Sequence, residues 1–364
     1  MKPLNINGLI SQLPIVQGGM GVGISLSRLA GAVAYEGGVG VISAAQPGFN
    51  WDGFKNNPLK ANLEALAYHI KAAKEKAKGG VVGVNIMCAI THYADYVKCA
   101  VENKADLIIS GAGLPTQLPG LIKDTSTISD TTRSTSDGST IKIAPIISSA
   151  KAASVILKMW DKKFGQTADM IVIEGPKAGG HLGFKAEDLD QETDYNSEIK
   201  EILQEVAKYE EQYDRQIPTV FAGGVHNRTD VDHYTNLGCA GVQVATRFVA
   251  TEECDAAEGY KNAYINAQEE DVVIVKSPVG MPGRALNNEF IQGLKDSAKK
   301  ITECRGCIIG CDHKKIPYCI TSALINAALG KTHEGLVFCG ACVYKIKEMS
   351  TVKKIINELT GHSN

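Results

Sequence analysis

Apolar residues in this chain fall into short, nearly unbroken runs separated by longer stretches with helical spacing. Eight runs stand out: Pro14 to Gly18, Val39 to Ala45, Val81 to Met87, Ala105 to Gly111, Ile141 to Ile147, Asp169 to Glu174, Pro218 to Gly224 and Ala240 to Phe248. Most are continuously apolar rather than alternating, the pattern of parallel strands buried on both faces. Between them, segments such as Lys60 to Lys74 and Glu198 to Tyr209 space their apolar residues as an amphipathic helix does. Eight β/α units predict an α/β chain folded as a TIM (β/α)8 barrel. An open doubly wound sheet is the alternative, and the small-residue turns after the seventh and eighth runs favour the barrel.

Two stretches break the rhythm. Asp124 to Thr140 is rich in Ser, Thr and Asp and poor in apolar residues, which predicts an excursion between the fourth and fifth strands with no chemistry of its own. From about Glu252 to Gly335 helical segments and cysteines replace the β/α alternation. The expected organisation is a barrel over residues 1–251, a smaller and mainly helical lid over 252–338, and a C-terminal segment over 339–364. That segment ends in a closing helix over Met349 to Leu359, with Ser350 or Thr351 as its cap.

Charge narrows the partners. The 364 residues carry 38 Lys and Arg against 40 Asp and Glu, so nothing draws the chain to nucleic acid or an anionic membrane, and a small-molecule substrate is expected. A homodimer stays open. The N-terminal residues lack the apolar core and cleavage site of a secretory signal, and no apolar run is long enough to span a bilayer. A cytoplasmic protein is expected, and in that reducing setting clustered cysteines suggest metal or redox chemistry before disulfides.

The candidate chemistry lies at the carboxyl ends of the strands, where TIM barrels place their active sites. The sixth run ends in Glu174-Gly-Pro-Lys-Ala-Gly-Gly-His181-Leu-Gly183. Gly179 and Gly180 would bring backbone amides close to a ligand, and His181 supplies a side chain that titrates near neutrality. The seventh and eighth runs end in Ala222-Gly223-Gly224-Val225 and Gln243-Val244-Ala245-Thr246. Such ends can present N–H groups to a phosphate, and Thr246 adds a hydroxyl. The first run ends in Gln17-Gly18-Gly19-Met20, which lets backbone approach a flat ring system. The third carries Asn85, whose amide either pairs with a heterocycle or satisfies loop backbone. His92 and His226 are secondary candidates near the mouth.

Cys304, Cys307, Cys311 and Cys319 lie within one short segment. Their spacing can wrap a [4Fe–4S] cluster, His313 can stand in for Cys319, and tetrahedral zinc is the other metal option. The alternative is that they are ordinary packing cysteines. Cys339 and Cys342 read as packing residues.

Together, Gln17-Gly-Gly-Met20, Val84-Asn-Ile-Met87, Ser110-Gly-Ala-Gly-Leu-Pro115, Ala178-Gly-Gly-His-Leu-Gly183, Ala222-Gly-Gly-Val225, Thr246-Arg-Phe-Val-Ala-Thr251 and Gly283-Arg-Ala-Leu-Asn287 resemble the nitronate monooxygenase (2-nitropropane dioxygenase) family. Its relatives include FMN-dependent enoyl-acyl-carrier-protein reductase II enzymes and NADH:quinone reductases. The resemblance implies a barrel holding FMN without a covalent bond. Asn85, Glu174, Gly179, Gly224 and Gln243 to Thr246 would bind the flavin, and His181 would face the substrate. Two positions depart from the family pattern: Ala245 stands where glycine is usual, and Lys177 where glutamate is common. The resemblance implies nitronate oxidation with flavin and oxygen, His181 handling the proton. The alternatives are an NAD(P)H-dependent enoyl-thioester or quinone reductase, with or without an iron–sulfur relay, and a non-catalytic flavin- or metal-binding protein.

Overall fold

The structure is a computed structural model and describes residues 1–128, 141–189, 194–294, 298, 299, 301 and 303–361. A hairpin opens the chain, β1 (Leu4–Ile6) and β2 (Leu9–Ser11). Its two-residue turn puts Asn7 and Gly8 at positive φ, the conformation that a tight hairpin needs. Eight parallel strands follow: β3 (Ile15–Gln17), β4 (Val39–Ser43), β5 (Val81–Met87), β6 (Leu107–Gly111), β7 (Lys142–Ile147), β8 (Ile171–Glu174), then, after the two-residue β9 (Gly180–His181), β10 (Thr219–Ala222) and β11 (Gly241–Val244). Barrel closure runs through β11 pairing with β3, Gln243 opposite Val16. Each barrel strand falls within one of the eight apolar runs.

Two cores explain why those runs lack alternation. Val16, Val39, Val41, Val81, Leu107, Ile109, Met170, Val172 and Val220 fill the barrel interior, closed below by Leu4, Ile6 and Leu9 of the hairpin. The intervening residues, among them Ile42, Val84, Ile108, Ile171, Ile173 and Val242, pack outward against the helices. Both faces are therefore removed from water, and each alternate position contributes to a different core.

The expected helices form with wider bounds, Pro58–Ala77 and Asn196–Tyr213. Asn57 caps the first by accepting from Lys60 N at 3.1 Å, with Pro58 at its first turn. The closing helix is Val352–Thr360, and Thr351 rather than Ser350 caps it, accepting from Lys354 N at 3.2 Å.

The excursion over Asp124 to Thr140 lies largely outside the described residues, its first part continuing the helix Leu118–Ile128. The region after β11 mixes helix and strand where the sequence predicts mainly helix. It has helices Glu258–Asn266, Glu289–Gly293 and Ile320–Ala328, but also the hairpin β12 (Val272–Lys276) and β13 (Pro282–Leu286). β13 pairs with β9, so His181 belongs to a three-stranded antiparallel sheet. The run Val272-Val-Ile-Val275, followed by a turn with Pro278 and Gly280, carried that signal in its β-branched residues. Among the described residues no helix is long and apolar enough to cross a membrane.

Candidate active site

The side-chain parity that fills the interior with Val81, Val172 and Val220 also points Asn85, Glu174 and Gln243 inward, at the carboxyl ends of β5, β8 and β11. Ala222 on β10 is in register with both Glu174 and Gln243, so these two share one level. An apolar interior thus ends in a polar rim. Gln243 Oε1 is buried and has no hydrogen-bond partner among the described residues. The half-buried Asn85 carboxamide makes no hydrogen bond among the described residues, so it does not cap loop backbone. Leaving a buried acceptor unpaired costs about 1–3 kcal/mol, a cost that a ligand offering N–H groups removes.

The β3 turn passes beside this rim as bare backbone. A Cβ on Gly19 would lie 2.3 Å from Asn85 Cβ, and one on Gly18 would lie 3.1 Å from Ala245 Cβ and 3.5 Å from Gln243 Nε2. Glycine is required there by close approach. The Ala245 methyl occupies the space beside Gly18 and leaves its own N–H in place. Met20 follows, half-buried, with its N–H held 2.8 Å from Ser25 Oγ.

Across the barrel, Gly223 and Gly224 adopt positive φ and pack against the glycine-rich turn after β8, Gly224 against the stem of Lys177. Lys177 itself is exposed. Cys339 to Cys342 close this end. Gly340 N donates to Thr246 Oγ1 at 3.2 Å, Ala341 N to Lys177 O at 3.2 Å, and Cys342 Sγ lies 3.8 Å from Gly224 O. Gly179 abuts the Cys339–Gly340 backbone, where a Cβ would come within 2.6 Å. The stretch taken as packing therefore forms one wall of the expected phosphate end.

His181 is held from two sides. Its Nε2 is 2.7 Å from Ser277 Oγ, and its ring meets Phe338 edge-on at 4.9 Å. Desolvation lowers its pKa to about 4, so the imidazole is neutral at pH 7. Burial acts oppositely on Glu174, pushing its carboxyl up to about 7, partly offset by Gly183 N–H, 3.1 Å from Oε2. Arg284 donates from Nη1 to Pro176 O at 2.9 Å and also to Ala178 O, tying the glycine-rich turn to β13. Sequence reasoning gave Ser277 and Arg284 no role. Arg284 had a signal as the arginine of a family-like motif, whereas Ser277 reaches His181 only through the pairing of β9 with β13.

The secondary candidates lie elsewhere. His92 is exposed, starting the helix Tyr93–Glu102, 3.2 Å from Asp95. His226 is half-buried on the outer side of the β10 end, with its carbonyl on Arg247. Among the described residues no group of three or more His, Cys, Asp or Glu side chains is placed to hold a metal ion. Cys304 and His313 are exposed, Cys307, Cys311 and Cys319 half-buried, and all four cysteines are free. The four thiols are near neighbours: burial and then Cys319 and Cys311 raise the pKa of Cys307, burial and then Cys304 and Cys319 that of Cys311, while Cys307 Sγ takes a hydrogen bond from Thr321 Oγ1 at 2.9 Å. The segment docks on the loop after β5 through Thr91 N to Cys307 O at 3.1 Å and Ile309 N to Ala89 O at 2.9 Å.

A barrel with this rim and this histidine can be compared with known families. The nitronate monooxygenase family model matches residues 4–362. The chain belongs to the nitronate monooxygenase family. Its members are flavin-dependent oxidoreductases in general. A probable nitronate monooxygenase of Staphylococcus saprophyticus is 31% identical over 135 residues, 37% of this chain and 36% of that one. The chain thus aligns with about a third of that relative's length. A (3aS,4S,5R,7aS)-5-hydroxy-7a-methyl-1-oxo-octahydro-1H-indene-4-carboxyl-CoA dehydrogenase of Rhodococcus jostii is 23% identical over 96% of this chain and 92% of its own. FabK from Thermotoga maritima shares the fold with a TM-score of 0.70, at 24% identity over 96% of this chain and 92% of that one.

Three desolvated histidines make stability depend on pH. His69, 3.0 Å from Ser27 Oγ, His181 and His226 are each lowered to about 4, largely by desolvation. Between pH 4 and 6.5 the unfolded chain binds protons at these sites that the folded chain does not, so stability is present above 6.5 and lost on acidification. Glu174 opposes this, keeping a proton in the folded state up to about 7. Asp255, raised by burial, opposes it too at the acid end, and two carboxyls against three histidines leave the net slope positive. Chemical denaturation at pH 7 and pH 5 is expected to show lower stability at pH 5, and His69→Gln is expected to reduce the difference. An equal or greater stability at pH 5 contradicts the assignment.

Proposed function

We propose that this chain oxidises alkyl nitronates with FMN and oxygen, a reading carried by the polar rim, where the Asn85 carboxamide and Gln243 Oε1 have no partner among the described residues. Asn85, Glu174 and Gln243 would meet the hydrogen-bonding edge of the isoalloxazine, with Gly18, Gly19 and Met20 along its face. Gly179, Gly180, Gly223, Gly224, Val244, Ala245 and Thr246 would hold the phosphate end. When bound, FMN supplies electron acceptance and reaction with oxygen. Glu174, titrating near 7, can either donate to or accept from the ring.

His181 acts on the substrate side. An imidazole lowered to about 4 is a weak base, ill suited to removing a proton from carbon. A nitronate has already lost that proton, and its negative charge needs only an N–H donor to orient it. Ser277 fixes the ring for that purpose, and the sheet of β9, β12 and β13 acts as the lid that excludes water.

A second reading is an NAD(P)H-dependent reductase acting on a thioester or quinone. What favours it is the Rhodococcus jostii CoA-ester dehydrogenase, which aligns with nearly the whole chain. Anaerobic spectra separate the two. Flavin bands that bleach on adding a nitronate, return with oxygen and ignore NADH and NADPH are the expected result. Bleaching by NAD(P)H but not by nitronate installs the reductase reading, and a protein that takes up no FMN on reconstitution overturns both.

A further inference from the structure

A cavity of about 260 Å³ lies on the outer side of the β10 and β11 ends, between the Thr246–Val249 turn and the C-terminal segment. Arg247, Lys345, Lys347 and Lys354 line it against two carboxylates, Glu348 and Glu358. Most of these charges are fixed in place. Arg247 is only 14% exposed and reaches His226 O at 2.5 Å and the Glu358 carboxylate, while Lys354 pairs with Glu348 at 2.8 Å. Lys345 has no ion-pair partner among the described residues. Ser350 also lines the cavity, and its hydroxyl oxygen is buried without a hydrogen-bond partner.

We propose that this cavity is a second phosphate-recognition site, separate from the flavin's, that takes the ribose phosphomonoester of an adenine nucleotide cosubstrate. The excess of two cations over carboxylates matches a phosphomonoester dianion, and Lys345 and Lys347, the two that pair with no carboxylate among the described residues, are exposed at its edge. The volume exceeds a phosphate ion, since one water takes about 30 Å³, and Ala250, Ile346 and Ile355 give the remaining space apolar walls. Two cosubstrates carry that group, NADPH at the ribose 2′ position and coenzyme A thioesters at the 3′ position. The proposal rests on the second, reductase reading, since nitronate oxidation with oxygen uses no such cosubstrate.

The test is calorimetric titration of the FMN-loaded protein with 2′,5′-ADP, 3′,5′-ADP, 5′-AMP and inorganic phosphate at low and high salt. One bisphosphate is expected to bind at least about tenfold more tightly than 5′-AMP or phosphate, and to weaken with salt. The 2′ isomer winning indicates a nicotinamide dinucleotide phosphate, the 3′ isomer a coenzyme A thioester. Lys345→Glu and Lys347→Glu, both at exposed positions, should each cost about tenfold in that affinity without unfolding the protein. Bisphosphates binding no better than 5′-AMP or phosphate, or binding both variants like the parent, overturn the proposal. Flavin content is read in the same samples. Normal flavin without bisphosphate binding rejects the cavity alone, and failure to hold flavin rejects the reading on which it rests.

Discussion

His181→Ala lowers kcat/KM for a nitronate by about 10- to 100-fold, the scale of losing one hydrogen bond to a charged group, about 1.5–3 kcal/mol, and leaves FMN content unchanged. The two halves of this expectation come from different strands. The rim residues Asn85, Glu174 and Gln243 sit on β5, β8 and β11, so the flavin keeps its contacts when the imidazole is removed. His181 sits on β9, pinned by Ser277 and Phe338. Ser277→Ala removes one hydrogen bond of about 0.5–1.5 kcal/mol, so its effect stays within about tenfold. A donor to an anion works with the ring neutral or protonated, so the readout that separates this role from a structural one is the substrate term: His181→Ala raises KM for the nitronate while flavin content and thermal stability hold. Steady-state kinetics with flavin quantified in each sample decides the matter: an alanine variant keeping a tenth or more of the parent's kcat/KM removes His181 from the mechanism.

Gly19→Ala is expected to weaken FMN binding by about 10- to 100-fold and to lower thermal stability, the scale of a 1–3 kcal/mol overpacking penalty. The added methyl would lie 2.3 Å from Asn85 Cβ, 3.0 Å from its Cγ and 3.4 Å from Val41 Cγ1. None of these is the free end of a flexible side chain. Either the β3 turn lifts or Asn85 moves, and both disturb the same edge of the rim. Asn85→Gly in the same background removes the clash, so stability should return while flavin affinity does not. Fluorescence titration with FMN checks both variants. Parental affinity in Gly19→Ala would show that this turn does not border the ring.

Much of the site was legible because its residues follow strands. A parallel strand buried on both faces must be apolar throughout, so a departure such as Asn85 or Gln243 near its carboxyl end marks the mouth of the barrel. Gly18, Gly19, Gly223 and Gly224 were readable for a related reason, since clustered glycines announce close backbone approach. The cysteines show the limit of such reading. Spacing along the chain predicts that Cys304, Cys307, Cys311 and Cys319 share one neighbourhood, as they do, yet ligation depends on where the side chains point, which spacing does not fix.

The chain's own pattern determined eight strands, their parallel order and the end at which the chemistry sits, because burial on two faces and glycine's lack of a side chain are local demands. Tertiary structure decided the rest. That Ser277 meets His181 across 96 residues, that Cys339 to Cys342 wall the glycine turn, and that burial moves His181 and Glu174 in opposite directions all depend on which surfaces exclude water together. Desolvation and long-range pairing arise only once the barrel has closed.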